Sequence, residues 1–112
     1  MNVEELREYC LSKPHSTEGF PFDEHTLVFK VHGKMFALCG LKEASYVNLK
    51  CDPERAIQLR AEYQEITPGY HMSKKHWNSV SIIGFLSDEM IKKLVDDSYQ
   101  LIWKSLPKKL RE

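Results

Sequence analysis

No stretch of this sequence approaches the roughly 18 consecutive apolar residues that a membrane-spanning helix needs. The opening MNVEELREYC is acidic and polar with no apolar segment, so no secretory signal is expected there. Cysteine is sparse and odd in number: Cys10, Cys39 and Cys51, with no Cys-x-x-Cys spacing, argue against a disulfide framework or a paired-cysteine zinc site. These three are expected as reduced thiols in a cytoplasmic protein, buried as small hydrophobes. A glycine-rich phosphate loop and a nucleophile elbow are both missing. So is net charge. Sixteen Lys and Arg balance sixteen Asp and Glu, which removes any long-range attraction to nucleic acid or membranes.

What is present is an ordinary globular composition, 42% hydrophobic and 29% charged over 112 residues, without repeats or linker-like tracts. That predicts a single domain over 1–112 with one core. The charge is unevenly spread: residues 1–30 hold three basic against six acidic groups, and residues 63–112 hold eight against six. An anionic partner would therefore meet the C-terminal half.

The chain opens with a helix capped by Asn2, with Glu5 placed for a capping box, Leu6, Tyr9 and Cys10 on one face, and Pro14 ending it. TLVFKVHGKMFALCG alternates Leu27, Phe29 and Val31, turns at His32-Gly33-Lys34 and returns to Cys39, which predicts a hairpin. SYVNLKC adds a third strand, with Val47, Leu49 and Cys51 on one face and Tyr46, Asn48 and Lys50 on the other. The preceding GFPF is either a short edge strand or an extended loop. A second helix starts at Asp52-Pro53 and carries Ala56, Leu59 and Tyr63. A turn at Pro68-Gly69 leads to a strand through WNSVSIIGF, with Val80, Ile82 and Phe85 as inward positions. The last helix is capped by Ser87, stapled by Leu86 and Ile91, and runs through Leu94, Val95, Ser98, Leu101 and Ile102 to Pro107. The order α-β-β-β-α-β-α predicts an α+β fold: an antiparallel sheet packed with helices on one face.

Several separated segments, FPFDEHTLVFKVHGKMFAL, VNLKCDPERA, ITPGYHMSKKHWNSV and SYQLIWKSLPKKLR, resemble the small bacterial MmcQ/YjbR-like proteins. The likeness runs from about Val3 to Arg111, and PGYHMxKKHWN is its most specific motif. The resemblance implies a double-wing, CyaY-like fold and the DNA-binding label commonly given to that family, with no enzymatic activity and no cofactor.

The segment PGYHMSKKHWNSV, free of carboxylates, concentrates the candidate chemistry. Lys74 and Lys75 offer charge for phosphates, His76 and Asn78 offer hydrogen bonds, and Trp77 offers a ring on which a base stacks. Lys50 and Arg55 add positive charge if the neighbouring strand-to-helix junction lies close. The competing reading makes Trp77 a core anchor and leaves the lysines solvated. Counting back from Val80, Asn78 and His76 fall on the inner face and Trp77 and Lys75 on the other. Should Tyr46, Tyr70 and Trp77 share an exposed face, they would form a ligand, stacking or protein-interaction surface.

Other chemistry is weakly signalled. His71 and His76 lie five apart, without the tight ligand pairs of zinc sites, so no metal is assigned. Asp23-Glu24 beside His25 contains proton-transfer groups but sits before a strand, where polar residues are expected anyway. The basic tail Lys104, Lys108, Lys109 and Arg111 suits a helix C-terminus without further function. The sequence is thus expected to encode a monomeric DNA-binding protein without catalytic residues. The alternative is a binding module for a protein or a small anionic ligand.

Overall fold

The computed structural model describes residues 1–111, which build one six-stranded sheet with helices against it. Helix α1 (Val3–Leu11) begins as its sequence dictates: Asn2 accepts from the Glu5 amide at 2.8 Å, and Glu5 accepts from the Asn2 amide at 3.2 Å. Four strands follow: β1 (Ser16–Gly19), β2 (Thr26–Val31), β3 (Lys34–Gly40) and β4 (Tyr46–Lys50). Helix α2 (Pro53–Glu62) has Asp52 as N-cap, its carboxylate accepting from the Arg55 amide. Strands β5 (Ile66–Pro68) and β6 (Trp77–Ser81) precede helix α3 (Asp88–Ser105), capped by Ser87. A short 3₁₀ turn covers Lys108–Arg111.

Every neighbouring pair is antiparallel, in the order β1-β2-β3-β4-β6-β5. The fold is α+β with an antiparallel sheet packed with helices. Its element order, α-β-β-β-β-α-β-β-α, has two strands more than the sequence led one to expect. Strands β1 and β5, four and three residues long, are too short to show a period of two, and become strands by pairing with β2 and β6. The edge strand lies at Ser16–Gly19 and ends on the first residue of GFPF, and Phe20 and Phe22 are exposed in the loop beyond it.

The β2–β3 hairpin turns on His32 and Gly33, with φ of 46° and 81°. That pair of positive values matches the twist of the strands. A bulge follows: Phe29 pairs with Ala37 but Lys30 pairs with Met35, so Phe36 is the extra residue. Adjacent Phe36 and Ala37 therefore both enter the main core. The interrupted ladder is bridged from α3. Buried Ser98 donates its hydroxyl to the Phe36 carbonyl at 2.6 Å and accepts from the Lys50 amide at 2.9 Å. A serine on an apolar helix face is explained by that pair of bonds.

The helices cover one face, where Leu6, Cys10, Leu59, Ile91, Val95 and Ile102 meet Phe29, Val47, Leu49 and Val80. Burial pushes the Cys10 thiol up to about 12 and Cys39 to about 11, and raises Cys51 too, which favours the protonated thiol over the nucleophilic thiolate. Phe85, expected as an inward strand position, is 100% exposed, because β6 ends at Ser81 and the chain turns outward before α3. Tyr99, outside the expected apolar stripe, is buried and donates to the Pro14 carbonyl at 2.6 Å. No helix among the described residues is long and apolar enough to cross a membrane.

Candidate ligand site on the open sheet face

The face away from the helices is set by strand register. Lys50 lies opposite Trp77, Asn48 opposite Ser79 and Tyr46 opposite Ser81, while Leu49–Asn78 and Val47–Val80 alternate with them. Directly opposed residues project to the same side. Val47, Leu49 and Val80 are core, so Asn78 points into the helix-covered layer and Trp77 to the open face.

Lying on the open face does not make Trp77 accessible. It is 9% exposed and packs with Val28 and Leu38, flanked by Met35 and Met72, in a second small core. Its ring is a structural anchor, with no free face for a stacked base. Asn78 is buried among apolar residues, and neither its amide nitrogen nor its oxygen finds a partner among the described residues. It too is out of reach of a solvent-borne partner.

The lid over Trp77 is the 69–76 loop, and its attachment explains PGYHM. The Tyr70 amide donates to Ser79 Oγ at 2.9 Å, and Asn48 Nδ2 donates to the Tyr70 carbonyl at 3.1 Å. The Ser79 hydroxyl in turn donates to Asn48 Oδ1, closing the set. A Cβ on Gly69 would stand 2.8 Å from Trp77 Cβ and 2.9 Å from its carbonyl oxygen. Glycine is required there by close approach to Trp77. The positive φ belongs to His71, at 58°, so the turn expected at Pro68-Gly69 lies two residues later.

Where the loop stops short, a hollow of about 330 Å³ remains over Leu38 and Gly40. Its rim is aromatic and thioether: Phe22, Tyr46, Tyr70, His71, Met35 and Met72. The polar lining is Asn48, Thr26 and Asp23. Tyr46 leans across Gly40, its hydroxyl 3.4 Å from where a Cβ would stand, and meets the Tyr70 ring edge-on at 6.2 Å. The His71 ring lies 4.0 Å from that of Tyr70. Beyond this pair of tyrosines a shallower hollow of about 540 Å³ reaches Glu43, Glu65 and Ile83. The Asp23 carboxyl is held below its ordinary value, chiefly by the His25 amide and also by Thr26. Burial raises the Tyr46 phenol, with Glu43 adding to the effect.

The basic candidates gather elsewhere. Lys74, Lys75 and His76 are exposed on the loop, and Arg55 is exposed on α2. The Lys74 ammonium donates to the Gly69 carbonyl at 2.6 Å, while Arg60 of α2 donates to the Lys74 carbonyl at 2.8 Å. The His76 carbonyl accepts from the Cys51 amide, next to Lys50. Lys50, Lys74, Lys75 and His76 thus share one end of the sheet. Arg55 lines a separate hollow with Asp52, Asp97 and Lys104, so the charge there is mixed. Of the remaining histidines, His15 and His32 have ring centroids 4.7 Å apart beside Trp103.

The sequence marks Tyr46 and Tyr70 as a conditional surface and Asp23 only as a proton-transfer group beside His25, and carries no signal that Phe22, Met35 and Met72 join them. The alternation of Tyr46, Asn48 and Lys50 away from the core was the available signal for an occupied second face.

Fold and site together define a small α+β sheet protein with one face sealed by helices and the other partly covered and hollowed. The YjbR family model matches residues 11–101, and the chain belongs to the YjbR family. It is 34% identical over 113 residues to YjbR of Escherichia coli K12, covering 100% of this chain and 96% of that protein. To YbdF of Escherichia coli O157:H7 it is 36% identical over 107 residues, covering 95% and 88%. Both relatives are named as uncharacterised proteins. Among solved structures, the Deinococcus radiodurans protein DR2400 superposes with a TM-score of 0.91 at 42% identity, over 98% of this chain and 85% of that one. A Pseudomonas syringae protein superposes with a TM-score of 0.76 at 29% identity, over 90% and 98%.

Proposed function

We propose that this protein is a non-enzymatic binding module, working in the cytoplasm as a monomer, that takes a small molecule in the aromatic hollow of its open sheet face. The observation that carries this reading is the 330 Å³ hollow itself, walled by Tyr46, Tyr70 and Phe22 over an apolar floor with Asn48 as a fixed polar group. Concave, mostly apolar sites with a few placed polar groups are where small ligands bind. Asn48 is held in place by its bonds to Tyr70 and Ser79, so the wall is preorganised. An amide-NMR screen of uncharged aromatic fragments tests it. Fragments should move the signals of Tyr46, Asn48 and Met72 ahead of all others. A screen in which none perturbs that set would sink the reading.

A second reading, nucleic-acid contact, draws on the Arg60–Lys74 bond, which brings Arg60 of α2 against the loop carrying Lys74 and Lys75. In this form the contact uses Lys50, Lys75 and His76 on phosphates, without Trp77, Asn78 or the separately placed Arg55. Affinity for a DNA or RNA oligonucleotide should then fall steeply with salt and fall further in Lys50→Glu/Lys75→Glu. Absence of binding at low salt would remove it.

A further inference from the structure

Among the described residues, the carboxylate and ammonium or guanidinium groups lining the two hollows beside the tyrosine pair are all acidic. The hollow over Leu38 is lined by Asp23, and the shallower one beyond Tyr46 and Tyr70 by Glu43 and Glu65. Among the described residues, neither has a lysine or arginine in its wall. This is the reverse of what an anionic ligand requires, although the chain as a whole is neutral. Of the basic groups of the PGYHMSKKHWNSV segment, Lys74 is tied to the Gly69 carbonyl at 2.6 Å, and Lys75 and His76 are exposed at the loop end that leads into Trp77; none of them lines either hollow.

Two further features point the same way. Tyr46 and Tyr70 meet edge to face at 6.2 Å, so their rings form two sides of a corner. Aromatic faces attract cations through the ring quadrupole, and angled rings flanked by carboxylates are the arrangement that selects an alkylammonium group. The Met35 and Met72 thioethers supply a soft, polarisable lining for the methyl or methylene groups such a cation carries.

We infer that the ligand of this site is a small organic cation, an alkylated or quaternary amine, seated against Tyr46 and Tyr70 with Asp23 and Glu43 offsetting its charge. The inference rests on the small-molecule reading above and narrows it to one charge class. It differs in charge from the small anionic ligand that the sequence offered as one alternative.

Three probes of nearly equal shape separate charge from size: choline, 3,3-dimethylbutan-1-ol and 3,3-dimethylbutanoate. Each is titrated into the isotopically labelled full chain at pH 8, which keeps imidazole protonation out of the comparison, and read from the Tyr46, Tyr70 and Met72 signals. Choline should bind about tenfold more tightly than the neutral alcohol, and the carboxylate should bind most weakly. In Tyr70→Ala, whose side chain is 58% exposed and whose backbone bonds remain available, the preference should shrink while the spectrum stays that of a folded protein. Asp23→Asn/Glu43→Gln should shrink it as well. Equal affinities for choline and the alcohol at these residues would overturn the cation inference and leave the small-molecule reading standing. Tighter binding of the carboxylate would overturn it outright. Failure of all three to bind would overturn the cation inference too, and the uncharged-fragment screen then decides separately whether the hollow binds anything.

Discussion

The two faces of the sheet are built by the same strands but closed by different physics. The helix-covered face is sealed by apolar residues from α1, α2 and α3, and tolerates an unpartnered amide at Asn78. The open face is closed over one end only, by a loop that rests on Trp77 and is tied down by the Asn48–Ser79–Tyr70 bonds. The difference teaches where a ligand can enter. A face sealed by bulk has no room, whereas a face sealed by a loop and a few polar bonds leaves a hollow where the loop ends.

The largest test of this contrast removes the loop's floor. Trp77→Ala should cost about 3–5 kcal/mol, as for other buried large aromatics, measured by urea unfolding. A loss near zero would mean that Trp77 is not the anchor of a second core. Cutting the ties comes next: Asn48→Ala should cost about 1–3 kcal/mol by stranding the Tyr70 carbonyl and the Ser79 hydroxyl. Hydrogen exchange should then quicken in residues 69–76 and stay unchanged in α3. Uniform quickening would show that the two faces do not open separately. On the covered face, Asn78→Val should fall within about 1 kcal/mol of the parent or be more stable, since it removes two unpaired polar atoms and suits a strand. A loss comparable to that of Asn48→Ala would erase the contrast between the two asparagines.

The smallest expected effect is at the hollow's rim. Because the Asp23 carboxyl is held below its unfolded value, its bonds to the His25 and Thr26 amides stabilise the fold above the unfolded carboxylate value, near pH 4. That contribution is lost as pH falls through the lower folded value. The His25 and Thr26 amide signals should shift together in that acid range, and Asp23→Asn should abolish the step. Persistence of the step in that variant would assign it to another group.

Much of the framework was legible in the residues. The caps at Asn2, Asp52 and Ser87, the His32-Gly33 hairpin and the opposite projections of Trp77 and Asn78 follow from local hydrogen bonding and the period-two pleat. The short strands β1 and β5 were not legible, because three or four residues carry no periodicity until a partner pairs with them. Phe85 was misplaced because an apolar run alone does not mark where a strand stops.

The site divides in the same way. Local sequence determined which side of the sheet each residue of WNSV takes, and that Tyr46, Asn48 and Lys50 share one side, since alternation is a property of the backbone. Only the tertiary structure decided that Trp77 is covered, that Gly69 serves close approach, and that Tyr46 and Tyr70, 24 positions apart, form one corner among carboxylates. Exposure and charge at a point on the surface depend on every chain segment that folds over it, and no local pattern contains that sum.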